Sequence, residues 1–141
     1  MAAKTVFIDT NCFCGIYNSK DSLHLKSKKA FRNLKKQKHR LFTSNYIFAE
    51  ALTILSQRAA KKISIEFGKD IFRQRSLINI LTADLSTDLE AFKIFKKVRS
   101  KNLSFVDASI LALMKKYKVD YLLTFDERLI RLAKKFGFGI L

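Results

Sequence analysis

The chain has no proline and only four glycines in 141 residues. With no proline, internal repeat, low-complexity tract or linker-like stretch, one domain over residues 1–141 is the expectation. Gly15, Gly68, Gly137 and Gly139 form no glycine-rich phosphate loop, which excludes the nucleotide-binding α/β folds that need one. Cysteine is scarce as well. Cys12 and Cys14 are too close for an ordinary structural disulfide and lack zinc-ligand spacing, so both are expected to be reduced thiols in a cytoplasmic protein. His24 and His39, the two histidines, have no partner near them in sequence and are expected at the surface. Long apolar runs are missing too. The opening segment, residues 1–10, carries an acid at position 9 and is expected to be neither a secretory signal nor a membrane span. Acids are few: 12 Asp+Glu stand against 28 Lys+Arg, a formal charge of +16 that suggests a polyanionic partner, either nucleic acid or an acidic protein surface.

What is present is enough apolar material, 48% of residues, to bury one ordinary core. Val6, Phe7 and Ile8 read as a short strand buried on both faces. Leu23, Ala30, Phe31 and Leu34 make an apolar stripe on a strongly basic helix, 40–43 reads as a second strand, and Ser44 or Asn45 caps a helix to about residue 60. A helix over 61–75 turns Ile63, Phe67, Ile71 and Phe72 inward, and 76–82 is the candidate third strand. The 88–99 segment is read as a helix with Leu89, Phe92, Phe95 and Val98 inward and Lys93, Lys96, Lys97 and Arg99 outward. A helix over 104–116, a strand over 121–124, a helix over 127–135 and a strand over 138–141 complete the pattern. Strands alternating with helices imply parallel crossovers and an α/β class, a three-layer α/β/α domain with a central, mainly parallel sheet.

Four carboxylates occupy unusual places. Asp9 ends the first buried strand, and Asp126 ends the similar strand over 121–124. Glu50 lies in Tyr46-Ile47-Phe48-Ala49-Glu50-Ala51-Leu52, a helix that reads as buried nearly all round, where an unpaired acid is costly. Asp107 follows Ser104 at capping-box spacing. Each has a purely local explanation: Asp9, Asp107 and Asp126 as helix caps, Glu50 on a solvent-facing strip. Together they have another. In a parallel-sheet domain the strand-end acids and the helix-borne acids can converge on one crevice, where they repel one another unless cations are held there. Hard divalent ions, Mg²⁺ or Mn²⁺, suit carboxylate oxygens, and the matching chemistry is metal-assisted hydrolysis of a phosphodiester.

Phe7-Ile8-Asp9-Thr10-Asn11, the 44–52 segment with Glu50, Ser104-Phe105-Val106-Asp107-Ala108 and Leu123-Thr124-Phe125-Asp126 resemble, in order and spacing, the four acidic motifs of PIN-domain ribonucleases. The compact size most resembles the VapC toxins of toxin-antitoxin pairs. The resemblance implies a PIN-like fold and a metal-dependent endoribonuclease. By it, Asp9, Glu50, Asp107 and Asp126 are the catalytic, Mg²⁺- or Mn²⁺-binding acids, with Asn11, Ser104 and Thr124 as polar support. It also implies dimerisation and inhibition by a cognate antitoxin. RNA is the expected substrate, single-stranded or in a loop, because exposed backbone threads more easily into a narrow acidic site. Two basic groups, within 26–40 and 93–101, are candidates for phosphate contacts. A haloacid-dehalogenase-like phosphatase needs a second acid two residues after Asp9, where this chain has Asn11. A PIN nuclease of RNA maturation, or a PIN module that binds RNA or protein without catalysis, stay open beside the toxin.

Overall fold

A computed structural model describes residues 3–73 and 76–141 of the chain. Five strands, β1 (Thr5–Ile8), β2 (Arg40–Ser44), β3 (Ile78–Leu81), β4 (Tyr121–Leu123) and β5 (Gly139–Ile140), form one sheet in the order β3-β2-β1-β4-β5. Every pairing in it is parallel. Among the described residues seven helices connect them: α1 (Thr10–Tyr17), α2 (His24–Lys36), α3 (Asn45–Arg58), α4 (Lys61–Phe72), α5 (Leu85–Lys97), α6 (Phe105–Lys116) and α7 (Glu127–Lys135). From β1 the chain steps outward to β2 and β3, then returns across β1 to β4 and β5. Right-handed crossovers therefore place α1 to α4 on one face and α5 to α7 on the other. The packing follows, with α1 against α2 and α3, α3 against α4, and α5 against α6. The three-layer, parallel α/β reading of the sequence is what the chain adopts.

The reversal between β1 and β4 is a topological switch point, where ligands bind in sheets of this kind. Where the two strands end, Phe7 pairs beside Leu122 and Ile8 beside Leu123, all four apolar and buried, so the polar residues that follow each strand emerge side by side. The core joins Val6, Phe7 and Ile8 to Leu111, Leu113 and Met114 of α6 and to Ile47, Leu55 and Phe67 of the other layer. Among the described residues no helix is long and apolar enough to cross a membrane.

Several local expectations are corrected. On α5 the buried positions are Thr87 and Ala91, while Leu89, Phe92 and Phe95 are 57%, 50% and 41% exposed. The reason is close approach: Ala91 packs on Ala108 and Ala112 of α6, and only small side chains fit that seam. Phe72 is exposed, although its ring lies 4.6 Å from that of Phe48. Gln74 and Arg75, the expected end of the fourth helix, lie outside the described residues. In α3 only Ile47, Ala51 and Leu55 are buried, so this helix is not buried all round, and Glu50 sits half-buried on the strip that meets solvent. His24 is not without a partner, because its Nδ1 lies 2.8 Å from the Gly15 carbonyl oxygen. Cys12 and Cys14 are free and buried.

Gly15 marks a close approach of α1 to α2. A Cβ there would stand 2.0 Å from Ser27 Oγ, 3.0 Å from Ser27 Cβ and 3.2 Å from the Leu23 carbonyl oxygen. Gly15→Ala is expected to push α2 away and to cost about 1–3 kcal/mol, the usual range for overpacking. Urea denaturation measures this; a midpoint equal to wild type would mean that α2 yields without loss.

Candidate active site

Asp9 leaves the end of β1 and is the N-cap of α1, its Oδ1 accepting the Thr10 N–H at 2.7 Å. Beside it, Thr124 leaves the end of β4 and donates its hydroxyl to Asp9 Oδ2 at 2.7 Å. Thr124 Oγ1 itself accepts from the Asn11 side-chain amide at 3.3 Å and the Asp126 N–H at 3.1 Å. Asn11 Oδ1 accepts the Phe125 N–H at 3.3 Å. The two strand ends are thus tied by a directed chain of donors ending on the Asp9 carboxylate. Burial drives the Asp9 pKa up from 3.8 to about 7, against the Thr124 and Thr10 hydrogen bonds, and the charges of Asp107 and Glu50 add to the rise.

Glu50 arrives from α3 and Asp107 from α6, that is, from opposite layers. Thr10 donates its hydroxyl to Glu50 Oε1 at 2.5 Å. Asp107 forms a capping box with Ser104: its N–H donates to Ser104 Oγ at 3.0 Å, and its Oδ2 accepts the Ser104 N–H at 3.2 Å. Burial again raises its pKa, Ser104 opposes that, and the charges of Asp126 and Glu50 add to it. Asp126 caps α7, its Oδ1 accepting the N–H groups of Arg128 at 2.9 Å and Leu129 at 3.4 Å.

The local explanations and the convergence of the acids on one crevice therefore hold at once. Three of the four acids are caps, and all four line one crevice of about 370 Å³ at the carboxyl end of the sheet. Asn11 lines it too, and Thr124 and Ser104 act as supports behind it. Sequence reasoning missed Thr10, Asp21 and Arg58, which line it beside Cys14, Ser22, Leu23 and Ile54. Thr10 reads locally as a capping neighbour, and its partner Glu50 is 40 positions away. Asp21 and Arg58 carry no local signal. Five carboxylates face one guanidinium here, a concentrated negative charge in a chain of formal charge +16.

The four acids suit a hard divalent ion, because they offer it carboxylate oxygens. Among the described hydrogen bonds, Glu50 Oε2, Asp107 Oδ1 and Asp126 Oδ2 have no protein donor, while the other oxygen of each is held in place. As the side chains stand, no three acid, histidine or cysteine groups among the described residues are arranged to enclose an ion.

The PIN domain family matches residues 6–135. The chain is 31% identical over 123 residues to a VapC ribonuclease of Archaeoglobus fulgidus, covering 86% of this chain and 76% of that protein. It is 24% identical over 121 residues to the 23S rRNA-specific endonuclease VapC20 of Mycobacterium tuberculosis, covering 86% and 88%. In fold it resembles the crystal structure of Mycobacterium tuberculosis VapC20, a sarcin-ricin loop cleaving toxin, with TM-score 0.79 and 21% identity over 91% of this chain and 95% of that one. FitAcB from Neisseria gonorrhoeae is similar at TM-score 0.68 and 15% identity, covering 96% of both chains. A match over nearly the whole length, with the four acidic motifs gathered at the switch point, makes this chain a member of the PIN-domain family, homologous to the VapC ribonucleases.

Proposed function

We propose that residues 1–141 form a single nuclease unit, a VapC-type endoribonuclease that hydrolyses phosphodiester bonds in RNA in a Mg²⁺- or Mn²⁺-dependent way, as the toxin of a toxin-antitoxin pair in the cytoplasm. The observation that carries the reading is the crevice in which Asp9, Glu50, Asp107 and Asp126 meet, three of them with an oxygen left over from their structural bonds. These four acids would hold the ion, which when bound supplies an activated water and neutralises charge on the phosphate. The remaining work falls to the chain. Thr124 and the Thr10 N–H fix the Asp9 carboxylate, and the Thr10 hydroxyl fixes Glu50. The capping box holds Asp107 in one rotamer. Fixed acids lower the reorganisation needed as charge develops.

Substrate phosphates are drawn in by the basic surface around the acids. Lys26, near the start of α2, lies 5.0 Å from the Phe125 ring, beside the crevice. Lys35 and Lys36 stand at the far end of the same 13-residue helix, roughly 15 Å along its axis. Lys26→Gln is expected to lower the salt slope of RNA binding by about 0.7, the value for one phosphate contact on a single strand. Replacing Lys35 and Lys36 together should leave it unchanged. Fluorescence anisotropy across a salt series reads both; equal effects at the two ends of α2 would remove Lys26 from the RNA path.

A loop or single strand is the favoured substrate, supported by the likeness to VapC20, a toxin that cleaves the sarcin-ricin loop. Homodimerisation is supported by the exposed row Leu85, Leu89 and Phe92 on α5, an apolar face at helical spacing. The deciding experiment is incubation of the purified chain with total RNA and with a single-stranded oligonucleotide, in Mg²⁺, in Mn²⁺ and in EDTA. Cleavage in metal alone, suppressed by the co-expressed product of an adjacent small gene, supports the toxin. Cleavage that no such partner suppresses favours an RNA-maturation nuclease, and binding without cleavage favours a non-catalytic module.

A further inference from the structure

Asp107 and Asp126 have two sides. One faces the acidic crevice; the other borders a second pocket, of about 270 Å³, that runs from the α5–α6 connection to the outer face of α7. Its chemistry is different. Arg128, Arg131 and Lys135 recur at helical spacing along one side of α7, all exposed, and among the described residues none of them makes an ion pair. Leu103 and Leu132 give the pocket an apolar wall, and Asn102 offers it an amide with both donors and an acceptor. Arg99 and Lys101 adjoin lining residues in sequence, so the 93–101 basic group leads up to this pocket.

Three cations that make no ion pair among the described residues, held beside two carboxylates they do not pair with, fit an anion brought by a ligand. The apolar wall and the amide fit the rest of a nucleotide. Guanidinium planes and apolar surfaces accept a splayed base, and an amide reads its hydrogen-bonding edge. A volume just below that of small-molecule sites, roughly 300–1,000 Å³, suits one nucleotide rather than a duplex. We propose that this pocket holds the nucleotide adjoining the scissile phosphate, its own phosphate on Arg128 and Arg131, its base against Leu103 and Leu132, and its edge read by Asn102. The pocket is thereby a specificity subsite, contiguous with the acids through Asp107 and Asp126. The inference rests on the ribonuclease reading for its place beside the cut, but its binding test does not.

The test has two arms. In the first, the full chain carrying Asp9→Asn binds a labelled single-stranded RNA in Mg²⁺, with and without Arg128→Gln plus Arg131→Gln. The added pair is expected to weaken binding about 100-fold, tenfold per lost charge-assisted contact, and to lower the salt slope by about 1.4. In the second, cut ends are mapped for wild type and Asn102→Ala. Asn102→Ala should lose base preference next to the cut, with KM for the preferred sequence raised more than kcat is lowered. All three positions are exposed, so the variants are expected to fold, which far-UV circular dichroism checks. Unchanged affinity and slope in the first arm, or unchanged cut sites in the second, would overturn the subsite. So would loss of antitoxin binding by the arginine pair with RNA binding intact, since the pocket would then take a protein. If wild type binds RNA without cutting it, the nuclease reading fails while the first arm still decides the pocket.

Discussion

Asp9→Asn is expected to abolish metal-dependent RNA cleavage, with a rate loss on the order of 10³ or more, while the chain still folds. The size follows from losing one charged member of a site whose purpose is to stabilise developing charge. Asp107→Asn should do the same, because Asn keeps the capping geometry with Ser104 and only the charge is lost. Asn at position 9 still accepts the Thr10 N–H through Oδ1, but its amide nitrogen meets Thr124 Oγ1, which already accepts from Asn11 and Asp126. One hydrogen bond is therefore lost, worth about 1 kcal/mol. Single-turnover cleavage of a single-stranded RNA, with melts run in parallel, separates loss of chemistry from loss of fold. Normal cutting by either variant would reduce these acids to helix caps and remove the assignment of the cleavage to this crevice.

Without divalent metal, the stability of wild type is expected to fall as pH rises from about 4 to about 7. Burial places the Asp9 pKa at about 7 against 3.8 for the free side chain, so across that window the folded chain keeps a proton that the unfolded chain releases. Raising the pH then favours unfolding. The contribution is complete below pH 3.8 and lost above about 7, and the rise between those two values bounds it at about 4 kcal/mol. Asp107, also raised by burial, acts in the same direction. Asp84 and Asp120, held low by hydrogen bonds to Thr87 and Thr5, act in the opposite sense, but only as pH falls below about 4. Asp9→Asn should flatten the profile, so that the variant gains on wild type from pH 5 to pH 8 and is the more stable of the two at pH 8. Adding Mn²⁺ at pH 8 should recover the wild type by about 2.7 kcal/mol at a hundredfold excess over Kd, and the variant by much less. Urea denaturation in EDTA and in Mn²⁺, at pH 5 and 8, gives all four values. Parallel profiles for wild type and Asp9→Asn would show that Asp9 is not the buried acid responsible.

Local rules were enough for much of this protein. The buried strands that end in Asp9 and Asp126, the capping box of Ser104 and Asp107, and the parallel α/β class all follow from signals within a few residues, because strand burial and helix capping are short-range effects. Those same rules made Asp9, Asp107 and Asp126 readable as caps, and all three are caps. Which oxygens remain free, and that Thr10 holds Glu50 across 40 positions, depended on how the layers meet at the switch point, and no local pattern encodes a pairing at that distance. The α5 face was decided the same way. Its large apolar residues have the spacing of a buried stripe, yet the seam between α5 and α6 is filled by Ala91, Ala108 and Ala112. Periodicity reports how apolar a face is; the distance between two packed helices determines which face can enter the core.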